Sequence, residues 1–174
     1  ELRGNPEMSD SSRTISADRI DYDETRAVAD ARGDVRMLLR EDSTWAFARE
    51  ARYFRDDGLI WLYGDPEVRR RGQGGESDLV VRADTLKLYE AGREGEGFGH
   101  VHISRGGVLA RSERASFQLS RDRLLLWGNP VAWDGTGEVR ADTMSVGLAD
   151  HRPDLLRAFG HVQVHYAPVE RVDE

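Results

Sequence analysis

"LLLWGNPVAW", residues 124–133, sets a dense apolar run against a Gly-Asn-Pro break and then resumes with a second apolar piece. "LIWLYGDPEV", residues 59–68, does the same with Gly-Asp-Pro. Aligning the whole chain on these glycines brings out five units: "ADRIDYDETRAVADARGDVRM" (Ala17–Met37), "AREARYFRDDGLIWLYGDPEV" (Ala48–Val68), "ADTLKLYEAGREGEGFGHVHI" (Ala83–Ile103), "ASFQLSRDRLLLWGNPVAW" (Ala115–Trp133) and "ADTMSVGLADHRPDLLRAFGHVQV" (Ala141–Val164). Their anchoring glycines, Gly33, Gly64, Gly99, Gly128 and Gly160, are separated by 31, 35, 29 and 32 residues. A period near thirty residues marks a protein built from stacked units, none of which buries its apolar face alone.

The units alternate in type. The first, third and fifth open with Ala-Asp (Ala17-Asp18, Ala83-Asp84, Ala141-Asp142) and close with Gly-Asp-Val or Gly-His-Val, whereas the second and fourth close with Gly-Asp-Pro or Gly-Asn-Pro. Inside each unit the apolar period is two, the signature of half-buried strands. Before the third glycine, Gly95 and Gly97 leave this pattern empty. Glycine followed by Asp, Asn or His supplies positive φ cheaply, and Pro66 and Pro130 remove a ladder donor, so each anchor predicts a bulge or a corner. Only "HRPDLLRAFG", His151–Gly160, hints at helical spacing. These features leave three architectures open: a solenoid, a jelly roll or a folded-over sheet.

Composition narrows the function. The 174 residues make one domain of 19.6 kDa with net charge −7 and mean hydropathy −0.63. Lys87 is the only lysine, and the one basic run, "VRRRG" at Val68–Gly72, reads as a solvated turn flank, so no clustered footprint for nucleic acid is present. Cysteine is absent, which excludes disulfides and thiolate metal sites. No apolar stretch approaches a membrane span and no signal-like core is seen, so a soluble piece is expected; a leader or anchor ahead of Glu1 is compatible with the same picture.

The repeated Ala-Asp openings, "LIWLYGDPEV" and "ADTLKLYE…GFGHVHI", together resemble the lipopolysaccharide-transport periplasmic family of LptA, LptC and OstA-like domains. The resemblance spans about Ala17 to Tyr166. It implies an all-β fold, a folded-over antiparallel β-jellyroll or "β-taco" of about five repeats, with residues 1–16 as a lead-in, 17–166 as the jellyroll and 167–174 as a tail. It further implies a periplasmic location, an interior that holds the acyl chains of lipopolysaccharide or another acylated glycolipid, and open ends that stack edge to edge on other jellyroll domains or head to tail on further copies. His100 and His161, where the family carries Asn or Asp, and the polar link Arg69–Asp78 depart from the pattern.

Strand parity turns Ile20, Val35, Met37, Leu39, Ile60, Leu62, Leu86, Leu88, Val101, Ile103, Leu124, Leu126, Met144, Val146, Val162 and Val164 inward. The resemblance makes these the lining of the lipid groove, a role they share with plain core packing. Neither catalytic residues, metal ligands nor a cofactor are expected. His100/His102 and His161/His165 have weak metal spacing, and His100 and His161 occupy the turn slot held elsewhere by Asp34, Asp65 and Asn129. Asp18, Asp84 and Asp142 recur with the repeat, as turn caps do, and no nucleophile or phosphate-loop motif occurs. Two other readings remain: a self-assembling β-solenoid scaffold, and a carbohydrate-binding jellyroll. Uneven spacing and two unit types weigh against the first; Trp45, Trp61, Trp127 and Trp133, set in apolar strand runs, weigh against the second.

Overall fold

Period-two patterning sustained over a dozen residues makes strands long enough to cross a molecule. In the computed structural model, which describes residues 2–40, 43–72, 77–89, 94–118, 123–149 and 152–166, four strands do so. They are β5 (Val28–Leu39), β6 (Thr44–Phe54), β11 (Glu94–Arg105) and β12 (Val108–Gln118). The others are shorter and come in successive pairs: β1 (Leu2–Arg3) with β2 (Glu7–Ser9), β3 (Arg13–Ser16) with β4 (Arg19–Asp23), and β7 (Leu59–Tyr63) with β8 (Glu67–Arg70). Four further pairs follow: β9 (Leu79–Arg82) with β10 (Thr85–Tyr89), β13 (Arg123–Trp127) with β14 (Val131–Trp133), β15 (Gly137–Arg140) with β16 (Thr143–Ala149), and β17 (Arg152–Phe159) with β18 (Gln163–Tyr166).

All are joined in one antiparallel sheet, and the long strands show how it folds over. The first part of β5 pairs with β4 and the second with β3. Likewise β6 divides between β7 and β8, β11 between β10 and β9, and β12 between β13 and β14. Each change of partner falls on one crease. One leaf carries β4, β7, β10, β13, β16 and β17; the other carries β2, β3, β8, β9, β14, β15 and β18. The fold is therefore all-β, a folded-over antiparallel jellyroll.

The anchoring glycines are the crease. Gly33, Gly64, Gly99, Gly128 and Gly160 have φ between +67° and +78°, and the residue after each, Asp34, Asp65, His100, Asn129 or His161, is also left-handed. Two successive left-handed residues interrupt the ladder and swing the strand into the other leaf. Glycine is needed here for space as well as φ: a Cβ on Gly33, Gly99 or Gly160 would lie 2.2 Å from the carboxylate of Asp18, Asp84 or Asp142. A Cβ on Gly64 or Gly128 would meet Arg49 or Glu113. The Ala-Asp openings are thus the facing half of the corners at Gly33, Gly99 and Gly160, with Asp18 and Asp84 donating their N–H to the carbonyls of Gly33 and Gly99 at 2.9 Å.

Two expectations change. Gly4-Asn5 has the same left-handed pair, followed by Pro6, and β1 to β3 pair into the sheet, so residues 2–16 belong to the jellyroll and are not a lead-in. "HRPDLLRAFG" is not helical: Arg152–Phe159 is β17, because pairing with β16 satisfies its backbone where no second apolar helix face exists; His151 lies outside the described residues. The empty slot at Gly95 also has a reason. Phe117 is its cross-strand partner and is 1% exposed, and a Cβ on Gly95 would lie 2.2 Å from its ring.

Substituting Gly33 separates the two demands on a crease glycine. Gly58 has φ +62° with open space around it, so Gly58→Ala should cost about 1 kcal/mol in urea unfolding. Gly33→Ala adds displacement of Asp18 and should cost at least about 2 kcal/mol; equal costs would show that the Asp18 contact is immaterial. The crease also titrates. Asp84, bonded to the His100 ring at 2.9 Å, raises the His100 pKa through that hydrogen bond and its charge, with Glu113 adding to it. This contribution is complete below the ordinary histidine pKa of about 6.5 and is lost as pH rises through the raised value. Asp84→Asn should lower the His100 titration midpoint followed by NMR and shrink the stability difference between mildly acidic and alkaline buffer.

Candidate ligand-binding cleft

The leaves close tightly at the N-terminal end. Arg13, inward on β3, lies over the ring of Tyr53 from the opposite leaf at 4.6 Å and is 3.5 Å from Asp10. Burial pushes the Tyr53 phenol up, against the pull of the Arg13 charge. Behind this clasp Val35, Met37 and Leu39 are at most 1% exposed. Such a seam is packed protein interior with no room for a guest.

Towards the C-terminal end the seam opens into a cleft of about 320 Å³. Leu124, Leu126, Val146 and Leu156 form one wall; Leu79, Ile103, Ala132, Val139 and Val164 belong to the other. Two features of the sequence cause the opening. The second wall is built from short strands carrying small residues, and β17 and β18 have no further neighbour among the described residues. Side chains that a next strand would cover therefore stay in water: Leu155 is 43%, Val164 46% and Tyr166 80% exposed.

The mouth is polar. Asp134 accepts hydrogen bonds from the Thr136 hydroxyl at 2.7 Å and from the backbone N–H groups of Thr136 and Gly137 at 2.9 and 3.0 Å. These bonds hold its carboxyl below the usual range and fix the turn that sets β15 against β14. The carboxylate is thus spent on the rim, and the walls behind it remain aliphatic.

Of the residues expected to face inward, Ile103, Leu124, Leu126, Val146 and Val164 line this cleft. Ile20, Val35, Met37, Leu39, Ile60, Leu62, Leu86, Leu88, Val101 and Met144 are sealed in the core at 2% exposure or less. Val162 is a correction: it falls between the corner at Gly160–His161 and β18, is 48% exposed and does not line the cleft. Leu79, Ala132, Val139, Leu155 and Tyr166 were not anticipated. β9, β14, β15 and β18 are three or four residues long, too short a run for alternation to register, and β17 sets Leu155 directly beside Leu156, although "DGTGEV" is a legible hairpin signal.

The tryptophans need a second correction. Trp45, Trp61, Trp127 and Trp133 sit in apolar runs but alternate with buried neighbours, so all four point outward, Trp45 and Trp133 at 41% and 45% exposure. Their position in apolar runs is therefore no argument against an exposed aromatic surface. No group of three or more potential metal ligands occurs among the described residues.

No protein-family model matches the chain, and no curated protein matches it. Among solved structures it is similar to the crystal structure of LptH, the LptA homologous periplasmic component of the conserved lipopolysaccharide transport device from Pseudomonas aeruginosa. The TM-score is 0.45 at 10% sequence identity, over 90% of this chain and 95% of that one.

Two substitutions distinguish wall from mouth. Leu126 is fully buried, so Leu126→Asp places an unpaired charge in the seam and should destabilise by about 3–5 kcal/mol. Leu156 is 38% exposed, and Leu156→Asp should cost no more than about 1 kcal/mol by denaturant unfolding. Comparable losses in both variants would mean that the cleft is closed in solution.

Proposed function

We propose that this chain is a periplasmic lipid-binding carrier that shields lipid A acyl chains and moves lipopolysaccharide, or a related glycolipid, from the inner to the outer membrane. The observation that carries the reading is the aliphatic cleft, open at one end of an otherwise sealed jellyroll and continuous with exposed Leu155, Leu156 and Val164. The motif resemblance points the same way.

The magnitudes suit a carrier. Ligand pockets run from about 300 to 1,000 Å³, so the cleft takes part of one acyl chain rather than a whole lipid. Each methylene transferred from water contributes about 0.8 kcal/mol, and ten contribute about 8 kcal/mol. Association costs at least about 4 kcal/mol, leaving a hold that is reversible. The remainder of the lipid lies over the open end, where β17 and β18 each have one edge without a partner among the described residues. Another jellyroll domain, or a second copy placed head to tail, continues the sheet there by strand addition. A scaffold that merely self-assembles uses the same edges but gives the cleft no role.

The test combines mass spectrometry of co-purified lipid with photo-crosslinkers at Ile103, Leu156 and Val164, and at outward Trp45 as a control. Acylated glycolipid attached at the first three positions and absent from the fourth is the expected result. Clean failure at all three, together with filament formation, overturns the carrier in favour of the scaffold.

A further inference from the structure

The outer face of the leaf holding β8, β9, β14 and β15 carries a second concavity of about 620 Å³, on the side of the sheet away from the cleft's interior. Register places its residues in two rows. In one, Arg82, His102 and Arg111 are direct cross-strand neighbours on β9, β11 and β12, continuing to Val131 on β14. In the other, one pleat along, lie Val80, Ser104, Leu109 and Trp133. Rows two residues apart are separated by about 7 Å. One row is therefore cationic and the other largely apolar, ending in Leu109 and Trp133 at 47% and 45% exposure.

The charge is uncommitted. The side chains of Arg111 and His102 have no hydrogen bond or ion pair among the described residues, whereas Arg36 and Arg140 on the outer face of the same leaf are each paired with a carboxylate. Arg82 shares Glu67 with Arg69, so three charged groups leave one positive charge in excess. Partial burial opposes ionisation of Glu67, yet its bonds to Arg82 and Arg69 hold its carboxyl below the usual range. Glu138, on the rim, is taken by Arg140. A local cationic excess stands out on a chain of net charge −7.

We propose that this concavity is a binding site for a small anionic amphiphile, with a phosphate or carboxylate on Arg111 and His102 and a flat apolar body against Trp133 and Leu109. The guanidinium offers two parallel N–H donors that match either anion. The indole and the leucine supply a wall about one pleat away, so the ligand must carry its anion within about 7 Å of its apolar part. The site opens on the outer face of the leaf, meets the acyl cleft at the rim through Trp133 and Glu138, and does not depend on the carrier reading.

The test is titration of 1-naphthyl phosphate into the isotope-labelled full chain, read by amide chemical shifts. Saturable shifts at His102, Ser104, Leu109, Arg111, Val131 and Trp133 are expected, weakening as salt is raised. Arg111→Gln should weaken binding about tenfold with an unchanged unfolding midpoint, and Trp133→Ala should do the same. Inorganic phosphate and neutral naphthalenemethanol should each bind about tenfold more weakly or worse, since each lacks one half of the ligand. Leu156→Asp, which alters the cleft, should leave the affinity intact. Shifts confined to Leu155, Leu156 and Val164, no saturable shifts, or an affinity indifferent to Arg111→Gln each overturn the proposal.

Discussion

The structure depends on one steric arrangement repeated along a line: a glycine and its successor, both left-handed, seated beneath the side chain of the facing strand. At Gly33, Gly99 and Gly160 that side chain is an aspartate, and at Gly64 and Gly128 it is Arg49 and Glu113. Any L side chain at the glycine is strained by φ and blocked by its neighbour together, which explains why the chain returns to glycine at every second crossing. Because the corners stack in register, the bends add into one crease and the sheet becomes two leaves.

The crease decides what the leaves can do. Near it the inward residues are small, with Ala17, Ala83 and Ala141 buried, so the leaves converge there and diverge away from it. Within a leaf, large and small inward side chains complement one another across neighbouring strands, as Phe117 does with Gly95 and Tyr53 with Ala29. That complementarity seals the N-terminal part. It fails towards β17 and β18, where the strands are short and the inward residues of one leaf are Ala132, Val139 and Val164, and a cleft results. An open end and an open edge thus share one cause, that β17 and β18 have no further neighbour among the described residues.

The outer surface follows a different rule. Carboxylates and arginines two residues apart on one strand face the same way, and Arg19–Asp21, Arg36–Asp34, Arg69–Glu67 and Arg140–Glu138 all pair in this manner. Each exposed pair contributes little to stability. Their effect is to neutralise arginine locally, which no carboxylate among the described residues does for Arg111 beside His102.

From the sequence alone came the all-β class, the repeat, the crease glycines and the inward parity of most strands, because period-two alternation and left-handed turns are local properties written into a few neighbouring residues. Locality also explains the errors. Gly4-Asn5-Pro6 lay too close to the start for a five-unit alignment to include it, and the apolar residues of β17 imitate one helical turn. Val162 obeyed the parity of its neighbours but falls ahead of β18 and outside the cleft. Only the tertiary structure decided which inward positions are core and which are cleft. Met144 and Val146 read alike in sequence, yet Met144 is sealed at 0% exposure and Val146 lines the opening. The difference lies in what the opposite leaf brings to each, and that depends on pairings between strands far apart in the chain.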